Sequence, residues 1–441
     1  MKLWEKDLPL DKQVEEFTIG KDAELDMLLA RYDVLGSMAH AKMLASVELI
    51  SQSECDDLLL ALNGLLKRIA NGDFRIESGV EDIHSQVELE LTKALGETGK
   101  RIHSARSRND QVLLDLKLFF RDEVRSIVTS TEKLIALLLS LSEKHQGDLL
   151  PGYTHLQAAM PSSFGLWFGA YAESLVDDLR QWSATFATIN QNPLGSAAGY
   201  GSSLPIDREM TTRLLGFPTM HFNVVNAQMA RGKGELSLAF GLASTANTLS
   251  KMAMDICLYN SQNFGFITLP ADFTTGSSIM PHKKNPDVFE LIRARCNQMQ
   301  QLPGTLAAMT GSLPSGYHRD LQLLKEIIFP PLQHLKGCLE MLLLSLPKME
   351  IRSDIMKDDR YALTFSVERV NELVLGGTPF REAYQQVAKE IEGGTFKANE
   401  KLSHTHVGSL GNLQNEAIAQ KLKHVMAQFD FGYVDVMAGL S

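Results

Sequence analysis

The sequence predicts a mainly α-helical protein built around a bundle of long helices. Residues 101 to 146 contain neither glycine nor proline. Within that run Val112, Leu116, Phe119, Phe120, Val124, Ile127, Val128, Leu134, Ile135, Leu138, Leu139 and Leu141 mostly recur at intervals of three, four or seven. That is a helical period sustained over roughly eight turns. Four more stretches of the same kind follow: Ala170 to Asn192, Glu235 to Phe264 broken by Gly241, Asp287 up to Pro303-Gly304, and a last one, interrupted by Pro330-Pro331 and Gly337, continuing to Leu346. Helices this long bury a wide apolar face only against one another, so a bundle is the natural solution. Their length exceeds what one monomer's core needs, which predicts a homo-oligomer.

In chain order, residues 1–106 read as shorter helical segments separated by polar breaks such as Asn71-Gly72-Asp73. Residues 107–350 hold the long helices. Residues 351–441 read as a further helical domain punctuated by Gly376-Gly377-Thr378-Pro379, with Thr378 as N-cap and Pro379 at the first helical position. The charged N-terminus MKLWEKDLPLDKQ has no apolar core of a signal peptide, and no apolar run reaches the ~18–20 residues of a membrane span. A cytoplasmic protein without a membrane partner is expected.

The chain has 44% apolar residues, enough for a sizeable core, and its 22% charged fraction argues against general disorder. With 43 basic and 53 acidic residues the net charge is −10, which disfavours a nucleic-acid partner. An anionic substrate would therefore need a locally positive cleft. Cys55, Cys257, Cys296 and Cys338 show no CxxC or His-flanked pairing, and read as reduced thiols without a disulfide or metal.

Four polar islands carry chemistry. TTGSSIMPHKKNPD (Thr274 to Asp287) looks like a mobile loop hinged on a helix start, with Asn285 as N-cap, Pro286 at the first helical position and Asp287 in the first turn. Its hydroxyls (Ser277, Ser278), ammonium groups (Lys283, Lys284) and carboxamide suit a carboxylate-rich substrate whose negative charge grows during reaction. Composition alone is equally compatible with a solvated turn. RIHSARSRNDQ (Arg101 to Gln111) gathers Arg108 and Asn109 before the longest helix, with Ser107 or Asn109 placed to cap it. The functional reading is anion binding at a helix start, and the alternative is capping with surface ion pairs. PGYTHLQ (Pro151 to Gln157) joins two helices and carries Thr154 and His155, the latter either a proton-transfer group or a structural hydrogen-bonder. GYHRDLQLLKE (Gly316 to Glu326) places Gln322 and Lys325 on one helix face behind Tyr317, to grip a polar substrate or form a wet face. The glycine-rich PLGSAAGYGSSLPIDR (Pro193 to Arg208) follows no strand, so it reads as a tight inter-helix connection, not a phosphate loop.

Taken jointly, these islands resemble the fumarase/aspartase superfamily, whose signature loop is similar to GSSIMPHKKNPD (Gly276 to Asp287). The order of the islands agrees, and the resemblance covers nearly the whole chain. Within the superfamily, KKNPD, HSARSRNDQV, GYTHLQ and YHRDLQLLK resemble the argininosuccinate lyase branch, to which delta-crystallin is related. Sibling branches carry valine or arginine at the second lysine, so Lys283-Lys284 is discriminating.

The resemblance implies three mainly helical domains and a homotetramer with a twenty-helix core, each active site drawing on three subunits. It implies reversible elimination of argininosuccinate to arginine and fumarate, with no metal or organic cofactor. By matched position, Ser277 takes the proton from the succinyl carbon, and Lys283 and Asn285 stabilise the dianionic aci-carboxylate. His155 stands on the acid side with Glu290 as its orienting partner. Arg108, Asn109, Thr154, Ser278, Tyr317, Gln322 and Lys325 would bind substrate. Which of Ser277 and His155 is the base stays open, and no activator for Ser277 is identifiable apart from Lys283. Departures from the pattern are His282, Ala158, Met160, Tyr384 and the segment Phe17 to Asp22. The alternatives are another fumarate-releasing C–N lyase, such as one acting on adenylosuccinate, and a non-catalytic crystallin-type protein.

Overall fold

Helix signals in the first hundred residues become helices of 5 to 19 residues in the computed structural model, which describes residues 11–400 and 402–440. These are α1 (Lys12–Ile19), α2 (Asp22–Asp26), α3 (Ala30–Ser46), α4 (Gln52–Ala70), α5 (Ile83–Leu95) and α6 (Glu97–Arg101). The leader reading at residues 1–10 lies outside the described residues. Next come the long helix α7 (Arg108–Lys144), a hairpin of β1 (Leu149–Thr154) and β2 (Gln157–Ser163), and α8 (Phe164–Ile189). Then follow α9 (Arg208–Leu214), α10 (Val224–Met229), α11 (Lys233–Asn260), strand β3 (Ile267–Thr268), α12 (Asp287–Met299), α13 (Leu302–Thr310), α14 (Leu324–Ser345) and β4 (Glu350–Ile351), which pairs antiparallel with β3. The chain closes with α15 (Ser366–Leu375), α16 (Phe380–Glu392), α17 (Asn415–Met426) and α18 (Tyr433–Ala438).

The 37 residues of α7 make about ten turns, some 55 Å of helix. Ser107 caps it, with Asp110 completing a capping box, so the N-terminal N–H groups are satisfied by short side chains. α8 packs against both α7 and α11, and these helices bury Phe168, Leu175, Trp182, Leu242 and Leu249. Gly241 permits a close approach of α11 to α8: a Cβ there would lie 3.0 Å from the Trp182 indole. Gly165 does the same where the hairpin turns into α8, since its Cβ would lie 2.7 Å from Gln146 Cα.

Several local expectations need correction. Pro286 and Pro379, not Asn285 and Thr378, occupy the cap positions of α12 and α16. At Asn285 the reason is visible: its backbone pairs with Thr275 (Asn285 N–H to Thr275 O, 2.8 Å). That pairing turns its amide toward Thr275 and Gly276. Pro303-Gly304 does not end helical structure but sits in the first turn of α13, where proline's missing N–H costs nothing. Pro330 and Pro331 lie inside an unbroken α14. The segment PGYTHLQ is the tip of a β-hairpin, the main element that periodicity did not reveal.

The terminal helices return to the bundle. Tyr433 and Tyr32 both donate to Asp122 on α7 at 2.8 Å, and the Arg121 guanidinium is sandwiched between the Phe217 and Tyr433 rings. α15 and α16 instead share a small separate cluster of Val370, Ala383 and Val387. None of the described helices is long and apolar enough to cross a membrane.

Candidate functional site

The start of α7, the α1–α2 corner, the α4–α5 connection and the entry to α14 converge on one cleft. Five residues singled out from sequence line it together: Arg108, Asn109, Tyr317, Gln322 and Lys325. Arg108 is held by Glu81 (2.8 Å) and by Ser85 Oγ, to which it donates at 2.6 Å. Gln322 donates to the Thr18 and Ile19 carbonyls, which ties the α1–α2 corner to the cleft. Asn109 and Tyr317 keep their side-chain polar atoms unpaired with any other described residue, so they are open to a ligand.

Lys325 is 4% exposed and carries two carboxylates on its ammonium, Asp26 at 2.6 Å and Asp22 at 2.7 Å. Burial raises the Asp22 carboxyl above its usual range despite that lysine. Asp22, Asp26, Glu81, Asp82, His84, Arg231 and Arg319 also line the cleft and escaped sequence reasoning. Arg319 lay in a marked island and Asp22 in the divergent segment Phe17 to Asp22; Asp26 and His84 sit in helices, and Glu81, Asp82 and Arg231 in connections, where they look like ordinary charged positions.

At the cleft wall His84 donates from Nδ1 to Asp33 at 2.7 Å, with Asp115 3.5 Å from the same nitrogen. Burial opposes the imidazolium, but Asp33, Asp115 and Asp82 outweigh it and hold His84 up at about 9. The ligand atoms of Asp33, His84 and Asp115 are close enough to hold a cation. That cation would have to displace the His84 proton and face the buried Arg106 guanidinium, whose charge is felt at Asp115. The cluster is thus a self-contained charge network. Asp110, buried beside it, accepts from the backbone N–H groups of Gly195 and Ala197, which explains the tight glycine-rich connection. Burial raises Asp110 to about 6 despite those bonds.

The remaining expected residues stand elsewhere on the chain and do not line this cleft. Thr154 and His155 are exposed at the hairpin tip, where His155 (φ 53°) and Leu156 (φ 58°) form a left-handed two-residue turn. Turns of that hand favour glycine or asparagine, so placing His and Leu there costs of order 1 kcal/mol each. Ser277, Ser278, Lys283 and Asn285 lie on a loop closed by the Thr275–Asn285 bridge and by a Thr275–Asp287 side-chain hydrogen bond. The Ser277 Oγ accepts from the N–H groups of Met280 (3.2 Å) and Ile279 (3.4 Å). Ile279 is 82% exposed, so the loop stands out from the body. Glu290, on the first turn of α12, has Arg293 as its ionic neighbour at 3.8 Å.

A protein-family model described as lyase matches residues 5–300. An argininosuccinate lyase from Parabacteroides distasonis is 56% identical over 98% of this chain and 96% of its own length. The Thermotoga neapolitana argininosuccinate lyase is 39% identical over 88% of this chain and 98% of its own length. Among solved structures, an EDDS lyase in complex with formate superposes with a TM-score of 0.74 at 21% identity, over 98% of this chain and 92% of that one. A fumarate lyase:delta crystallin from Brucella melitensis gives 0.74 at 18% identity, over 96% and 98%. These two share the mainly helical fold.

Proposed function

This chain belongs to the argininosuccinate lyase family, and we propose that it catalyses the reaction for which that family is named, within arginine biosynthesis in the cytoplasm. The reaction is the reversible elimination of argininosuccinate to arginine and fumarate. The observation that carries this reading is the single cleft on which Arg108, Asn109, Tyr317, Gln322 and Lys325 converge, with polar atoms of Asn109 and Tyr317 left open. That cleft binds the carboxylates and amino group of the substrate, helped by Thr154 and Ser278.

Ser277 removes a proton from the succinyl carbon beside a carboxylate. Such a carbon is a very weak acid, so the barrier falls only if the doubly negative aci-carboxylate is stabilised as it forms. Lys283 and Asn285 supply that charge and amide donor. The C–N bond then breaks, its electron pair leaves on the guanidino nitrogen, and His155, oriented by Glu290, delivers the proton that nitrogen needs. The N–H groups of Met280 and Ile279 support Ser277 as the base, because donors aimed at Oγ favour its negative form. On this reading they act on Ser277 alongside Lys283.

Neither the hairpin tip nor the serine loop lines the cleft of its own chain, and on this reading the full site is assembled from neighbouring subunits of a homotetramer. Exposed apolar residues at the two protruding elements, Leu156 and Ile279, fit that assembly. The same reading divides the chain into units at 1–106, 107–350 and 351–441. Incubation with argininosuccinate should raise the ultraviolet absorbance of fumarate. Silence there together with turnover of adenylosuccinate would overturn the substrate assignment.

A further inference from the structure

A second polar recess lies one wall away from the substrate cleft. Its floor is Lys117 of α7, eight residues or about 12 Å of helix beyond Asn109. Thr188 and Gln191 at the end of α8, His221, Asn226 and Lys233 complete its lining. The recess measures about 110 Å³, where one water needs about 10–15 Å³.

Two of its groups are buried in a way that the protein itself does not satisfy. Lys117 is 3% exposed, and its only hydrogen bond to a described residue is a long one, 3.4 Å to the Thr188 carbonyl. The nearby carboxylate, Glu235, is already engaged: it accepts from the Gly232 N–H at 2.8 Å and faces Arg231 at 3.0 Å. A buried ammonium without a close counter-charge is costly to maintain. His221 is 6% exposed, and its Nε2 has no partner. Asn226 Nδ2, which can only donate, lies 3.2 Å from Nδ1, so the neutral ring carries its proton on Nε2. The His221 backbone carbonyl accepts from the Arg208 guanidinium at 2.7 Å, which fixes the residue's backbone. Burial together with Lys117, Arg208 and Lys233 pushes His221 down to about 4, so it presents a neutral donor at ordinary pH. Gly234 lies beside the floor: a Cβ there would be in van der Waals contact with Lys117 Nζ, at 3.5 Å.

A recess with a buried ammonium, a second ammonium at its exposed rim, an unused imidazole N–H and amide groups has the complement of a small oxyanion. We propose that this recess, distinct from the substrate cleft, binds one small oxyanion of the phosphate or sulfate type, gripped by Lys117, Lys233 and His221. Arg231 lines the cleft, and its helix-turn neighbour Ala230 lines the recess, so the two sites share the α10–α11 corner.

The test is isothermal titration of the full-length protein with inorganic phosphate, with arginine and fumarate saturating so that the cleft is occupied. One saturable site per chain is expected. Lys117→Met should weaken phosphate binding at least tenfold, and Lys233→Ala, an exposed change that leaves the fold alone, should weaken it several-fold. Arg319→Ala, on the cleft side, should leave phosphate affinity unchanged. Absence of saturable binding at millimolar phosphate, or equal affinity in Lys233→Ala and wild type, overturns the proposal. Loss of binding in Arg319→Ala would place the anion in the substrate cleft and also overturn it.

Discussion

Replacing His84 by glutamine should remove a specific, calculable part of the pH dependence of stability. The His84 imidazole is buried with Asp33 at 2.7 Å and Asp115 at 3.5 Å, and its pKa stands at about 9. An unfolded histidine titrates near ~6.5. Between those values the folded protein holds a proton that the unfolded chain has released, so stability falls as pH rises. The contribution is fully present below ~6.5 and gone once pH has passed through about 9. Two and a half units at ~1.4 kcal/mol each give about 3 kcal/mol. Lys117 works in the opposite sense at higher pH: burial depresses it to about 8, so the cost of its buried charge is relieved as pH climbs toward the unfolded value near ~10.4. The raw stability curve therefore mixes two slopes. The difference between wild type and His84→Gln cancels Lys117, which both proteins share. Equilibrium urea unfolding at one fixed protein concentration, from about pH 6 to pH 10, should show the variant weaker by ~3–5 kcal/mol at the acidic end, because Asp33 and Asp115 are left without their nearest cation. That gap should narrow by about 3 kcal/mol toward the alkaline end. A gap constant across the range would mean that His84 is neutral in the folded protein, and the charge network as described would be wrong.

Ser277→Ala should lower kcat by ~10³ or more while KM moves little, measured by fumarate release; near-normal turnover would remove Ser277 as the base. Lys325→Met leaves Asp22 and Asp26 at the cleft floor without their cation, and should cost ~3–5 kcal/mol at neutral pH in urea unfolding, with part of the loss recovered in acid as the carboxyls protonate. An unchanged midpoint would show the pair to be unimportant. Gly241→Ala pushes a methyl group to 3.0 Å from the buried Trp182 ring and should destabilise by ~1–3 kcal/mol, read as a lowered Tm with the fluorescence of Trp182 perturbed.

Periodicity made the long helices legible because their apolar residues recur over many turns, and α7, α8 and α11 run close to where the pattern put them. Short-range rules failed where tertiary contacts outbid them. Asn285 is a good N-cap by type, but its backbone is committed to Thr275, so the cap position falls to Pro286. The hairpin of β1 and β2 was hidden because its turn uses His155 and Leu156 at positive φ, not the Asn-Gly pair that announces such a turn. In the cleft, the residues named by motif were found, whereas Asp22, Asp26 and His84 were not. Their significance depends on partners far along the chain: Lys325 is 299 residues from Asp26.

On the proposed mechanism, the strained hairpin tip and the self-closed serine loop answer the same physical demand. A weakly acidic carbon is deprotonated only if base and charge stabilisers are fixed before the substrate arrives, since reorganising dipoles during reaction would consume the gain. The Thr275–Asn285 bridge fixes the loop ends, and the Met280 and Ile279 N–H groups fix the Ser277 oxygen. His155 is held by a backbone conformation that costs energy to keep, which is expected where placement of a side chain matters more than local stability. Both elements protrude, with Leu156 79% and Ile279 82% exposed, so neither can exclude water while the chain is alone. In the proposed tetramer neighbouring subunits would cover them, and on that reading turnover should be lost at protein dilutions at which the assembly dissociates. Constant specific activity through that dissociation would separate catalysis from assembly.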